Sequence, residues 1–149
     1  MQQITILSES CEKALSLAPE LKKRCIEEAA AEIKRRLDVN ISTSIDDSNH
    51  KVRDWQRIRY GSKGGYAVIE AIDEPSGKNG PAAVTNYIDR GHRIPKRRIA
   101  NSKGYRPRIH AVAVAGRFFY RKTEQECADV LVKKAEQICE ELAKALEGI

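Results

Sequence analysis

The chain has 149 residues, of which 41% are hydrophobic and 32% are charged, and its formal net charge is +6. This length favours one domain, residues 1–149, with enough apolar surface to form a core without disulfides or metals. No apolar run reaches the roughly 20 residues that a bilayer span needs, and the amino terminus lacks the basic start and long apolar region of a secretory signal. We therefore expect a globular protein with no membrane partner.

The first third of the sequence predicts a helix that proline divides. Residues Ile4–Leu7 suit either a short strand or a disordered start, and Ser8 is a candidate N-cap. Apolar residues then recur at helical spacing as far as Leu37, but Pro19 interrupts them. The helix either kinks at Pro19 or ends near residue 17, with a second helix that begins at Pro19. We favour the second arrangement, because proline at the first helical position loses no hydrogen bond.

The middle of the chain predicts three strands and a short helix. Alternating apolar and polar residues or flanking glycines indicate the strands, and Pro81 and Gly91 suit the two ends of the helix. The predicted elements are, in order, a strand at Val39–Ile45, a turn at Asp46–Asn49, a strand that ends near Tyr60, a hairpin loop at Gly61–Gly65, a strand at Tyr66–Ile72, a loop at Glu74–Gly80 and a helix at Ala82–Arg90 with Val84, Tyr87 and Ile88 facing inward.

A basic segment follows the short helix. Residues 91–113 show little periodicity and are predicted to form an extended arm. The apolar stretch at Ile109–Ala115 predicts either a last strand or an extended lead-in to the last helix. Loops of this length are uncommon in compact domains and are usually functional or disordered. Eight cations lie within or beside the arm with no acid among them, namely Arg90, Arg93, Lys96, Arg97, Arg98, Lys103, Arg106 and Arg108.

The carboxyl-terminal segment predicts a long amphipathic helix that begins near Phe119 and ends at Gly148. Its apolar or small residues recur in steps of three and four and form one stripe, at Phe119, Thr123, Cys127, Val130, Leu131, Ala135, Ile138, Leu142 and Ala145. Taken together, the elements predict an α+β fold in which two amphipathic helices pack on one face of a small, mostly antiparallel sheet, with the long basic loop before the last helix.

The sequence contains no recognisable catalytic, cofactor-binding or metal-binding constellation, so we expect a protein that is not an enzyme and has no cofactor. The four cysteines are far apart and have no C-x-x-C spacing, which favours buried thiols over disulfides or metal ligands. Asp89 and His92 are one helical turn apart, but such pairs are more often capping or surface contacts. A small hydrolase or nuclease that uses His92 or His110 remains an alternative.

The basic arm is the strongest chemical signal. Its positive potential would attract phosphate backbones, and with Tyr105 as its one aromatic residue it offers no stacking platform for bases. One interpretation is therefore a small nucleic-acid-binding module that contacts the phosphate backbone without sequence specificity. The other is a solvated loop, or one whose arginines pair with acids of a neighbouring subunit.

Two short motifs flank the arm, and together they resemble a known family. The first is Tyr-x-x-x-Gly-His-Arg and the second is Val-x-Gly-Arg-Phe at the start of a terminal helix; here they are filled by Tyr87, Gly91, His92, Arg93, Val114, Gly116, Arg117 and Phe118. Both are similar to motifs of the small head–tail joining and tail-completion proteins, including tail terminators, of long-tailed bacteriophages and prophages. The glycine-rich hairpin at 60–66 also resembles that family, whereas its Thr-Gly-x-Leu string after the first helix is absent here.

The resemblance implies a structural protein without turnover. Its members resemble ring-forming tail terminators or adaptors, so it implies a homo-oligomer that binds tail-tube or connector proteins, with a lumen in which non-specific contact with DNA can occur. It further implies a location in the virion, after assembly in the cytoplasm of the bacterial host. In such a ring the arm would reach a neighbouring subunit or line the lumen, with Gly91 and Gly116 as its turning points.

Overall fold

The computed structural model describes residues 2–62, 64–94 and 112–147, and it describes side chains from Leu15 onward with the exception of Ala145. It is rich in helix and has two small antiparallel sheets, so the predicted α+β class is confirmed. The elements are α1 (Gln2–Ser44), α2 (Lys51–Asp54), β1 (Gln56–Tyr60), β2 (Ala67–Ala71), α3 (Pro81–Arg90), β3 (Gly91–Arg93), β4 (Ala113–Ala115) and α4 (Phe119–Glu147).

The two long helices α1 and α4 lie side by side and antiparallel. Three polar contacts show this direction, because positions later in α1 meet positions earlier in α4: Arg24 with Glu141, Glu28 with Lys134, and Asn40 with Thr123. The helix pair is the largest interface between elements in the described part of the chain.

The core lies where the carboxyl end of α1 meets the amino end of α4. Leu37, Ile41, Val52 and Phe119 form a buried cluster, and side chains that include Trp55 pack around it. Leu37 and Ile41 are one helical turn apart on α1, so they present one apolar surface to Phe119. Apolar packing therefore holds α1 and α4 together at the end where α1 finishes and α4 begins.

Strands β1 and β2 form the predicted hairpin. Their register pairs Gln56 with Ala71 and Tyr60 with Ala67, and both strands contact α1. Gly64 in the connecting loop has a φ of 61°, a left-handed conformation that favours glycine. The predicted turn at 46–49, the loop at 74–80 and the short helix that begins at Pro81 are also present.

The structure corrects the predictions for the first 45 residues. The backbone from Gln2 onward is helical, so the predicted strand or disordered start is wrong, and Ser8 lies inside α1 instead of capping it. Pro19 also lies within α1 rather than at a helix start. Proline removes one hydrogen bond of the helix, and Leu15, whose carbonyl group would have accepted it, is exposed to water.

The predicted strand at Val39–Ile45 is wrong because α1 continues through it to Ser44. The same residues also satisfy a helical period: Leu37, Asn40 and Ile41 are buried together on the side that faces α4. The tertiary contact with Phe119 therefore decides the local structure over a short alternation.

The terminal helix begins at Phe119 as predicted, while Gly148 lies outside the described residues. Its predicted stripe is only partly buried: Cys127 and Val130 are buried, but Leu131 and Ala135 are exposed. Cys139 is also exposed, which contradicts its prediction as a buried thiol.

Among the described residues no helix is long and apolar enough to cross a membrane.

Candidate functional site

The two ends of the basic arm meet in a short antiparallel ribbon made of β3 and β4. Gly91 pairs with Ala115, His92 with Val114 and Arg93 with Ala113. The N–H of Ile94 then donates to the carbonyl oxygen of Val112 at 3.0 Å. We call residues 87–94 together with 112–120 the neck, because they connect the arm to the body of the domain.

The neck brings together all eight positions of the two family-like motifs. Tyr87 lies in the last turns of α3 and its ring contacts that of His92, with centroids 5.4 Å apart. Val114 lies opposite His92, and the segment from Gly116 to Phe118 returns beside the end of α3. Tyr87 was predicted to face inward, but its side chain is exposed.

Two glycines allow the backbones of the neck to approach closely. Gly91 has a φ of 77°, and a Cβ atom there would lie 2.4 Å from the carbonyl oxygen of Val114. A Cβ atom on Gly116 would lie 2.5 Å from the carbonyl oxygen of Asp89. Gly91 thus supplies both the predicted turn and space, whereas Gly116 has no left-handed φ and is required by space alone.

The end of α3 and the start of α4 satisfy each other's free backbone groups. The carbonyl oxygens of Ile88 and Asp89 accept hydrogen bonds from the N–H groups of Arg117 and Phe118 at 3.0 and 2.9 Å. In return, the buried carboxylate of Asp89 accepts a bond from the N–H of Tyr120 at 3.1 Å. This carboxylate therefore caps α4 and places negative charge at the positive end of its dipole.

A second set of hydrogen bonds joins the neck to the first hairpin. The hydroxyl of Tyr120 donates to the side-chain oxygen of Gln56, whose amide in turn donates to the carbonyl oxygen of Val52 at 2.9 Å. Burial, reinforced by the charge of Asp89, raises the pKa of the Tyr120 hydroxyl to about 12. The hydroxyl is protonated at neutral pH, as tyrosine ordinarily is, and the raised pKa keeps it a donor into the alkaline range.

The arrangement gives no sign of an Asp–His catalytic pair. The Asp89 carboxylate bonds to the backbone of α4, whereas the exposed His92 ring contacts Tyr87. His110 lies outside the described residues. Among the residues that the structure describes, no group of three or more potential metal ligands comes together.

The surface of the neck is both apolar and basic. Alternate residues of paired strands share a face, so His92 and Ile94 lie on the same side of the ribbon as Val112 and Val114, and both valines are exposed. Phe118, with a φ of 55°, is also 51% exposed. This left-handed conformation is unusual for a bulky residue, and residues held in such conformations cluster at functional sites.

Of the eight predicted arm cations, the structure places two. Arg90 and Arg93 are exposed in the neck beside Arg117, and none of the three forms an ion pair within the described ranges. Gly91–Arg93 forms a strand and not part of a loop, which shortens the predicted arm. The remaining cations lie outside the described residues, namely Lys96, Arg97, Arg98, Lys103, Arg106 and Arg108.

Sequence reasoning missed the polar residues that fix the neck. Asp89 was considered for catalysis and not as a cap, and neither Gln56 nor Tyr120 was identified. The one available signal was the position of Asp89, an acid directly before a basic arm that leads to a helix start.

Comparisons with known protein families, with curated proteins and with solved structures find no match to this chain.

Proposed function

We propose that this chain is a structural protein of the head–tail junction or tail end of a long-tailed bacteriophage or prophage. It acts without turnover, by assembling into a ring and by binding tail-tube or connector proteins, and its place is the virion after assembly in the bacterial cytoplasm. The observation that supports this function is the convergence of all eight motif positions in the neck, a surface that carries exposed apolar and basic side chains.

The construction of the neck favours a binding role. The two glycine contacts and the cap by Asp89 fix the direction in which the arm leaves the domain. Preorganisation of this kind lowers the entropic cost of binding a partner. Exposed Phe118 adds apolar surface beside Arg117 in the chain, and Val114 adds apolar surface on the ribbon face opposite Arg93; aromatic residues and arginine are both enriched at protein interfaces.

An assembly assay tests this proposal. The purified protein is mixed with purified tail tubes or connectors, and joining is scored by sedimentation and electron microscopy. Gly91→Ala forces a Cβ atom against the Val114 carbonyl oxygen and should reduce joining at least tenfold. Gly65→Ala is the matched control, because a Cβ atom there meets nothing within 4 Å.

A second pair of variants covers the case in which Gly91→Ala does not fold. Phe118→Ser removes an exposed ring from the neck, and Tyr60→Ser removes one from the far end of the β1–β2 hairpin. We expect weaker joining only for Phe118→Ser, with circular dichroism unchanged in both. A wild-type protein that stays monomeric and joins neither tubes nor connectors would contradict the proposal.

A DNA-binding module is the second candidate, and the unpaired cations of the neck favour it. Arg97→Ala with Arg98→Ala should weaken binding to a duplex, measured by fluorescence anisotropy. Lys22→Ala with Lys51→Ala removes the same charge elsewhere on the surface and serves as the control. Contact with the phosphate backbone of DNA also predicts that affinity for the duplex falls by about tenfold or more between 50 and 200 mM salt. If neither the arm substitutions nor the salt concentration changes the affinity for the duplex, this function is excluded.

A further inference from the structure

The carboxyl-terminal part of α4 has an exposed face made of apolar residues. Its members follow helical spacing, namely Leu131, Val132, Ala135, Cys139, Leu142 and Leu146. Leu131 is 53% exposed and Val132 is 56% exposed. Charged residues of this segment, such as Lys133, Glu136 and Glu140, fall on the adjoining side of the helix. We call the six residues the apolar face of α4; five of them are exposed and Leu142 is half-buried.

A groove adjoins this face and enlarges it. Leu131 lines the groove together with Ile26, Ala29 and Ile33 of α1 and Ile69 of β2, and the groove encloses about 230 Å³. Apolar surface on α1, β2 and α4 is therefore continuous at Leu131. A contiguous exposed apolar patch on a protein surface commonly marks an interaction site.

The amino-terminal part of α1 extends past the end of α4. Arg24 contacts Glu141, and α4 ends at Glu147. Because paired antiparallel helices rise equally per residue, Glu147 lies level with about residue 18 of α1. The segment Gln2–Ala18, which we call the α1 extension, thus continues about 25 Å beyond α4, at 1.5 Å per residue.

The α1 extension has the sequence of a helix that packs on another helix. Five of its apolar or small residues, at 4, 7, 11, 14 and 18, follow alternating steps of three and four; Leu15 adjoins this set, whereas Ile6 and Leu17 fall on another side of the helix. This heptad spacing is typical of a seam between two helices. Leu15, the first residue with a described side chain, is 74% exposed.

We infer that the apolar face of α4 and its groove bind a second copy of this chain, and that the α1 extension of that copy is the occupant. The two surfaces match in length, because the fifteen steps from Leu131 to Leu146 span about 23 Å. The seam is also continuous with the α1–α4 interface inside each chain, where Leu21 is buried. Each copy provides its own extension and binds that of another copy. This is a heterologous contact, the type that forms a ring when the rotation between subunits closes.

This inference rests on the ring assembly in the proposed function, and cross-linking tests the interface by itself. Cys11 lies in the α1 extension and Cys139 lies on the apolar face of α4. A mixture of ¹⁵N-labelled and unlabelled protein is treated with a short bismaleimide, and linked peptides are identified by mass spectrometry. We expect Cys11–Cys139 links between labelled and unlabelled chains, and their loss in Cys11→Ser and in Cys139→Ser.

Matched variants test the same surface without chemical modification. Leu131→Gln with Val132→Gln makes the apolar face polar, whereas Lys133→Gln with Glu136→Gln alters the charged side; neither pair changes net charge, and glutamine is a good helix former. Light scattering during size-exclusion chromatography should show self-association at least tenfold weaker for the first pair and changed less than twofold for the second.

Two results would overturn the inference. One is wild-type self-association in Leu131→Gln with Val132→Gln, and the other is links that join only Cys139 to Cys139, which would mean that two α4 helices pair directly. If either result is obtained and the protein still joins tail tubes or connectors, the proposed function stands, and the ring forms through another surface. A strict monomer that still joins connectors would overturn the inference and remove only self-assembly from the proposed function.

Discussion

The two halves of α4 have the same helical period but different surroundings. In the first half, Phe119, Thr123, Cys127 and Val130 are buried against α1. In the second half, contact with α1 includes the ion pairs Arg24–Glu141 and Glu28–Lys134, which lie at the surface. Of the apolar residues of this half that follow the same spacing, Leu131 and Ala135 are exposed, whereas Ile138 and Leu142 are half-buried.

This difference shows what helical periodicity leaves open. An apolar stripe predicts that a helix packs on something, and the first half finds that partner within the chain. The second half places Ile138 beside Leu21 and Cys25 of α1, and it still carries exposed apolar residues, such as Leu131 and Val132, that are available for another contact. We therefore regard the first half as the part that stabilises the domain and the second as the part available to another molecule.

The largest effect that tests this comparison concerns two adjacent phenylalanines. Phe119→Ala removes a fully buried ring and should lower the free energy of unfolding by about 3–5 kcal/mol. Phe118→Ala removes an exposed ring and should change it by about 0.5 kcal/mol or less. Urea denaturation measures both. Equal losses would mean that Phe118 also belongs to the core.

A smaller effect separates the halves with one residue type. Val130 is 5% exposed and Val132 is on the apolar face. Val130→Ala should cost about 2 kcal/mol, from two buried methyl groups and the cavity that they leave. Val132→Ala should be within about 0.5 kcal/mol of the wild type, since alanine has the higher helix propensity. If both variants are destabilised equally in dilute, monomeric protein, the second half also stabilises the isolated domain.

A polar contact gives the next effect. The buried amide of Asn40 donates to the hydroxyl of Thr123 at 2.9 Å and to the carboxylate of Glu126 at 3.0 Å. Asn40→Ala should cost about 1–2 kcal/mol in urea denaturation, because buried hydrogen bonds are lost. Arg24→Gln, which breaks a surface ion pair of the second half, should have a smaller effect that disappears at high salt. If Arg24→Gln is more destabilising than Asn40→Ala, the stronger polar contact between α1 and α4 lies in the second half.

Local sequence signals were sufficient for part of the fold. The β1–β2 hairpin has alternating strands around a glycine-rich loop, and α3 begins with Pro81 and ends before Gly91. These glycine, proline and alternation signals lie within a few residues of the turns, strands and helix ends that they predict. By contrast, the helical state of Val39–Ile45 depends on Phe119, which is far away in the chain.

The candidate site divides in the same way. Gly91 and Gly116 could be identified because glycine is required wherever space or φ excludes a side chain. The position of Asp89 before the arm was the one signal for its cap, but it does not identify the partner, because Tyr120 lies 31 residues away and on the other side of the arm. The exposed side of α4 was missed since one predicted stripe combined residues that the structure assigns to two faces.

The smallest effect concerns Glu32, which positions an arginine at the border between the two halves. Hydrogen bonds from Arg35 and from Arg36 lower the pKa of the Glu32 carboxyl from its usual 4.5 to about 2. Arg36 also donates to the carbonyl oxygen of Glu126 and, at 3.3 Å, to the carboxylate of Asp129. Glu32 therefore helps to hold Arg36 against α4.

The sign of the pH dependence follows from the lowered pKa of Glu32. Because the folded state binds this proton less tightly than the unfolded state, its contribution to stability is complete above about pH 4.5 and is lost as the pH falls toward 2. Thermal unfolding between pH 2 and 7 should show Glu32→Gln less stable than the wild type at neutral pH, with a difference that becomes smaller as the pH falls toward 2. Glu20→Gln, at an exposed acid without an ion pair in the described residues, is the control and should follow the wild type. A constant difference between Glu32→Gln and the wild type across this range would mean that the charge of Glu32 does not hold Arg36, and that the border between the halves depends on apolar packing alone.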